Sequence, residues 1–147
     1  DWKEHLPLWF SKVDWGMPLE YHRTSFLPAN LELVEFEVKG FSIKISSPLR
    51  AFFECLYLAP EKQDLVECYE LMEGLNNLRP IQAQKLLEVC ESIKVKRLFV
   101  FMAEKSGHAW FKHIDLSKVN LGSGKRSLVM GGQLEPKYQI TLPKGLV

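Results

Sequence analysis

The order of periodicities along this chain predicts an α+β fold. Apolar residues alternate over 31–45, recur at helical spacing from 47 to about 106, and alternate again over 137–142. Lys39-Gly40 between two alternating runs predicts a hairpin, and Pro48 directly after Ser47 marks the switch to helix. The expected architecture is an antiparallel hairpin or small sheet packed against a cluster of about four helices, with a C-terminal strand. With 147 residues, 46% of them hydrophobic and 25% charged, the chain suits a single domain, residues 1–147, around one core.

The first thirty residues carry Trp2, Trp9, Phe10 and Trp15 among Pro7, Pro18 and Pro28. Proline lacks the N–H that a helix interior needs, so no long helix is expected there. Leu19 and Tyr21 alternate with Glu20 and His22, the pattern of a short strand. In the hairpin, Phe36, Val38, Phe41, Ile43 and Ile45 form the expected core face. Glu32, Glu35, Glu37, Ser42 and Lys44 take the wet face, and Val34 breaks the alternation. A half-buried antiparallel pair is therefore expected.

Four helices follow. Ser47 caps the first, which runs from Leu49 to Leu58 and stops near Pro60. Asp64 and Glu67 have capping-box-like spacing for the second, through Met72 and ended by Gly74. Pro80 opens the third, to about Glu91. Val95–Ser106 forms the fourth, closed by Gly107, although Leu98–Met102 alone is also compatible with a buried strand. Tyr138, Ile140 and Leu142 alternate in the closing strand.

The near-neutral total charge hides a division. Residues 1–78 hold seven Lys/Arg against thirteen Asp/Glu, a net −6; residues 79–147 hold twelve against five, a net +7. A basic half concentrates anions, which points to phosphates or an acidic partner. Of its twelve cations, Lys94, Lys96, Arg97, Lys105, Lys112, Lys118, Lys125 and Arg126 are the candidate nucleic-acid contacts. On a helix from Val95, Arg97 and Lys105 fall near one face with Phe101 between them. Gly122-Ser-Gly-Lys125-Arg-Ser127 resembles a phosphate loop but lacks the four residues between the first glycine and Gly-Lys-Ser/Thr. It is a flexible turn with two cations rather than a nucleotide-hydrolysing motif.

No catalytic residue, metal ligand or cofactor is assigned. Cys55, Cys68 and Cys90 are odd in number and widely spaced, as expected of free core thiols in a reducing cytoplasm. His108 and His113 are five apart, whereas a helical zinc pair needs three or four. Glu37-Val-Lys39 matches one element of metal-dependent nuclease sites and would need Glu20 or Glu32 beside it. No apolar run approaches the roughly 18–20 residues of a membrane span. The chain opens Asp1-Trp2-Lys3, with neither methionine nor a secretory leader pattern, so a fragment or processed product is expected.

Several stretches carry a family resemblance: Ile45-Ser-Ser-Pro-Leu-Arg-Ala51, Tyr69-Glu-Leu-Met-Glu-Gly-Leu75, Leu78-Arg-Pro80, Lys94-Val-Lys-Arg-Leu-Phe99, Ala103-Glu-Lys-Ser-Gly-His-Ala-Trp-Phe111 and Asp115-Leu-Ser-Lys-Val-Asn-Leu-Gly-Ser-Gly-Lys-Arg126. From about Phe41 onward the chain resembles the C-terminal domain of AbiEi-family antitoxins, regulators in type IV toxin–antitoxin and abortive-infection systems. The first thirty residues match less clearly. The resemblance implies a cytoplasmic, non-enzymatic domain whose N-terminal winged-helix partner domain, absent from this chain, binds operator DNA. It also implies a functional link to a nucleotidyltransferase-like toxin, with or without direct contact. Lys94, Lys96, Arg97, Lys125 and Arg126 are where charge would place DNA contact. Two other readings stand beside it: a metal-dependent nuclease-like domain on the Glu37/Lys39 hairpin, and a protein-interaction module anchored by Trp2, Trp9 and Trp15.

Overall fold

The computed structural model describes residues 7–147. Among these residues the architecture is α+β: a two-stranded hairpin, five α-helices and a small C-terminal three-stranded sheet. Trp2 lies outside the described residues.

After the short helix α1 (Leu8–Lys12), the chain runs without helix or strand to Phe26 and Leu27, the first buried residues among those described. Phe26 stacks on Tyr57 with ring centroids 4.3 Å apart, and its carbonyl accepts from the Glu91 amide. The strand expected at Leu19–Tyr21 does not form. Both residues are exposed, and among the described residues no neighbouring strand supplies a ladder of hydrogen bonds.

Strands β1 (Leu33–Val38) and β2 (Phe41–Ser46) pair antiparallel through the Lys39-Gly40 turn, where both residues have positive φ. That conformation matches the right-handed twist of the flanking strands. The register pairs Val34 with Ile45, Phe36 with Ile43 and Val38 with Phe41. Val34 therefore belongs to the apolar face, and Leu33 is the residue that departs from it. The expected half-burial also fails: Phe36 is 52% and Phe41 60% exposed. Pattern fixed which residues share a face, but among the described residues no helix or sheet lies across that face.

Helices α2 (Pro48–Leu58), α3 (Leu65–Gly74), α4 (Pro80–Val89) and α5 (Ile93–Lys105) build the core. The Ser47 hydroxyl accepts from the Arg50 amide, the Asp64 carboxylate from the Val66 and Glu67 amides, and the Ser92 hydroxyl from the Val95 amide. Each such cap contributes about 0.5–2 kcal/mol by satisfying an amide that the helix cannot. Leu98–Met102 is helical, in the middle of α5. Every residue from Val95 to Ala103 is buried, so α5 is enclosed on all sides. Phe99 at its centre packs against Phe53 at 4.7 Å and Trp110 at 5.9 Å.

The C-terminal segment forms three strands where one was expected. β5 (Ile140–Leu142) lies between β3 (Arg126–Ser127), parallel to it, and β4 (Gln133–Glu135), antiparallel. Two- and three-residue strands are too short to show a periodicity, which is why β3 and β4 escaped the pattern. This sheet is tied to α5 through Glu104, which accepts from the Tyr138 hydroxyl at 2.9 Å and pairs with Lys137.

Two stability effects follow from this packing. A Cβ on Gly132 would lie 2.4 Å from the Leu142 carbonyl oxygen, whereas a Cβ on Gly145 meets nothing. Gly132→Ala should cost about 1–3 kcal/mol in chemical denaturation, with Gly145→Ala near neutral. The Lys137 ammonium, with a further contribution from the Tyr138 hydroxyl, holds the Glu104 carboxyl below its usual 4.5. A depressed carboxyl stabilises the fold above its unfolded pKa and loses that contribution as pH falls through the folded value. Melting temperatures of wild type and Glu104→Gln should therefore converge as pH drops below about 4.5.

Candidate nucleic-acid interface

The eight candidate cations divide by environment. Lys94, Lys96 and Arg97 open α5 and are drawn inward with it, whereas Lys105, Lys112, Lys118, Lys125 and Arg126 are exposed. The exposed face expected along Arg97, Phe101 and Lys105 is not present. Arg97 is 3% and Phe101 7% exposed, because α5 has neighbours on every side.

Burying a cation is costly unless its donors are matched. Lys94 Nζ donates to the Tyr57 and Ala59 carbonyls, both at 2.6 Å, at the C-terminal end of α2. A cation there meets the negative end of the helix dipole. Desolvation lowers its pKa from the ordinary lysine value, and Glu61 partly opposes this. Arg97 Nε donates to the Leu121 carbonyl at 2.7 Å. Its Nη1 donates to Gly124 at 2.7 Å and Gln139 at 3.3 Å. One guanidinium thus fastens the Leu121–Gly124 turn and the approach to β5 onto α5. Burial, and then the positive charge of Arg126, lower its pKa from the ordinary arginine value.

The turn above Arg97 is conformationally committed. Gly122 has φ +67° and Gly124 φ +76°, values that L-residues rarely adopt. The Asn120 carboxamide accepts from the Gly122 amide at 2.9 Å. Lys125 and Arg126 follow, exposed, with Arg126 opening β3. The other exposed cations are more dispersed. Lys105 stands over the Tyr69 ring at 5.7 Å. Lys118 pairs with Asp115 at 3.6 Å. An open cleft of about 650 Å³ is lined by Ile81, Lys85, Glu88, His113, Asp115 and Lys118, a mixture of both signs.

The histidine and aromatic cluster of 108–111 has a structural use. His108 Nε2 donates to the Met72 carbonyl at 2.6 Å and Trp110 Nε1 to the Leu75 carbonyl at 2.8 Å, closing the end of α3. Arg50 was not singled out from sequence. Its Nη1 donates to the Pro28 and Leu31 carbonyls, both at 2.7 Å, and its Nε to Glu54. The signal available was its place after the Ser47-Pro48 helix start, one turn before Glu54.

The carboxylates considered for a nuclease site are engaged separately. Glu20 pairs with Lys62 and His22, Glu32 accepts from the Ser47 hydroxyl, and Glu37 stands exposed opposite Ser42. Among the described residues no group of three His, Cys, Asp or Glu side chains is placed to hold a metal. The three cysteines are free thiols, with Cys68 and Cys90 buried; burial is the main cause that pushes the Cys68 thiol up to about 12. No helix among the described residues is long and apolar enough to cross a membrane.

The family model described as "Transcriptional regulator, AbiEi antitoxin, Type IV TA system" matches residues 1–143. The chain belongs to the AbiEi antitoxin family. The match includes the aromatic first thirty residues, whose resemblance was the weakest in the sequence. No curated protein and no solved structure matches the chain. Within this AbiEi chain, then, the basic half is sorted into cations that fasten the fold and cations that face solvent.

The two groups should respond differently to substitution. Arg97→Met removes three bonds from a charged donor and leaves the Leu121 and Gly124 carbonyls without that partner, an expected loss of about 2–4 kcal/mol in denaturant titration. Lys125→Gln and Arg126→Gln should stay within about 0.5 kcal/mol of wild type.

Proposed function

We propose that this chain is a single, non-enzymatic AbiEi regulatory domain acting in the cytoplasm, beside a separate winged-helix domain that reads operator DNA. In this reading it assists autorepression by holding the nucleic-acid backbone, and it counters a nucleotidyltransferase-like toxin. Lys105, Lys112, Lys118, Lys125 and Arg126 make the contacts, and Lys94, Lys96 and Arg97 add positive potential from beneath. The supporting observation is that these five cations of a half-chain carrying +7 are all exposed, and only Lys118 among them is paired with a carboxylate in the described residues. Binding of this kind carries affinity without sequence information and releases counterions, so it falls steeply with salt.

A specific observation also supports protein contact as a second role. Trp9 is 61% and Trp15 43% exposed, and the apolar face of the hairpin is open. That reading predicts retention of a partner protein when the charged turn is neutralised.

The test is a salt titration of binding to the operon's promoter duplex beside an unrelated duplex of equal length. The Lys125→Gln/Arg126→Gln double variant should bind both duplexes more weakly, and its salt slope should fall by about 1 for each phosphate it no longer neutralises. It should also impair repression or toxin neutralisation while melting like wild type. Wild-type binding, repression and neutralisation by the variant would exclude the proposed surface.

A further inference from the structure

The turn over Arg97 has a combination of features that fold stability alone does not require. Arg97, Lys125 and Arg126 meet there, and none of the three is paired with a carboxylate among the described residues. Their proximity is fixed by the backbone. The Gln139 carbonyl accepts from both Arg97 Nη1 and the Arg126 amide, and Gly124, bound to the same Nη1, directly precedes Lys125. A stabilising arrangement would spread like charges or place an acid between them.

Arg97 is also not closed off from solvent. Its Nε and Nη1 are engaged, and Nη2 has no partner among the described residues. Among those residues no buried side-chain nitrogen or oxygen lacks a hydrogen bond, so Nη2 reaches solvent. The guanidinium is held rigidly by three carbonyls while one amino group remains available, which is the preorganisation that anion recognition rewards.

The backbone adds donors. The Ser123, Gly124 and Lys125 amides donate to no acceptor among the described residues. The Gly124 carbonyl points at Arg97. In a trans peptide the N–H lies opposite the carbonyl, so the Lys125 amide points outward with the exposed side chains. Successive amides around left-handed glycines form anion-binding concavities. Nothing lies within 4 Å of a Cβ built on Gly124, so a ligand has room to approach.

We infer that the Gly122–Arg126 turn, floored by Arg97, is a binding site for a phosphate group. The Ser123–Lys125 amides and the Lys125 and Arg126 side chains hold the oxygens, and Arg97 supplies fixed charge from beneath. The inference deepens the nucleic-acid reading and rests on it for the class of ligand. A phosphodiester of a nucleic-acid backbone and a free phosphate or nucleotide share this chemistry.

The test uses backbone amide NMR of the whole chain, titrated with inorganic phosphate against chloride at constant ionic strength. The expected result is a saturable shift concentrated at Ser123, Gly124 and Lys125. Arg126→Gln should weaken it about tenfold or more, as expected for loss of one charge-assisted bond. Lys85→Gln, exposed in the same basic half and outside the proposed contacts, should leave it unchanged. Both substitutions are on exposed side chains, so folding is retained and is checked in the same spectra. A second arm adds a short duplex of unrelated sequence. Displacement of the duplex from these amides by phosphate identifies the nucleic-acid backbone as the source. Phosphate binding at the turn with no duplex binding upholds the site, assigns it to a free phosphate or nucleotide, and ends the nucleic-acid reading. Unsaturable shifts, or shifts spread equally over Lys105, Lys112 and Lys118, overturn the site. If the duplex still binds in that case, the nucleic-acid reading survives without it.

Discussion

The burial of α5 on every side is the constraint around which the rest is arranged. A helix enclosed from Val95 to Ala103 must place its apolar residues in a core and also answer for any charge it carries inward. Phe99 meets the first demand against Phe53 and Trp110. Arg97 meets the second by giving two of its nitrogens to three carbonyls from the chain beyond residue 120. Those carbonyls belong to segments with little regular structure of their own. The arginine thus supplies the hydrogen bonds that a longer strand would otherwise provide, and the short C-terminal sheet is set in place on the helix.

The same device recurs at the ends of α2 and α3. Lys94 occupies the carbonyls that close α2, and His108 and Trp110 occupy those that close α3. In each case a donor distant in sequence satisfies acceptors that an α-helix leaves unpaired. Arg50 does the same for the turn that leads into the hairpin. Long-range donors to backbone carbonyls connect the elements, with the Lys137–Glu104 pair the exception at the C-terminal sheet. The ion pairs present are mostly on exposed side chains and contribute little to stability.

This use of donors separates two kinds of cation that composition treats alike. Those at the start of α5 are engaged largely by the fold, and those after it face solvent. The AbiEi family is one of transcriptional regulators and antitoxins, and a surface of unpaired positive charge suits a role beside nucleic acid. The hairpin is a contrast. Its apolar face is as regular as any in the chain, yet it covers nothing within the described residues.

Local sequence determined the elements. The Ser47-Pro48 and Asp64 helix starts, the Lys39-Gly40 turn and the alternation at Ile140 and Leu142 each rest on interactions a few residues apart, and all of them formed. The α+β class followed from their order, and the motifs from Ile45 to Arg126 carried the family. Burial was decided by tertiary structure, because a pattern shows which residues share a face but not whether anything lies opposite. That is why Phe36 and Ile43 are exposed, Leu19 and Tyr21 form no strand, and Leu98–Met102 resolves as helix. The candidate site was divided for the same reason. Lys94, Arg97, Lys125 and Arg126 are alike as charges in sequence, and only the placement of distant carbonyls around α5 separates the cations that hold the fold from those left at the surface.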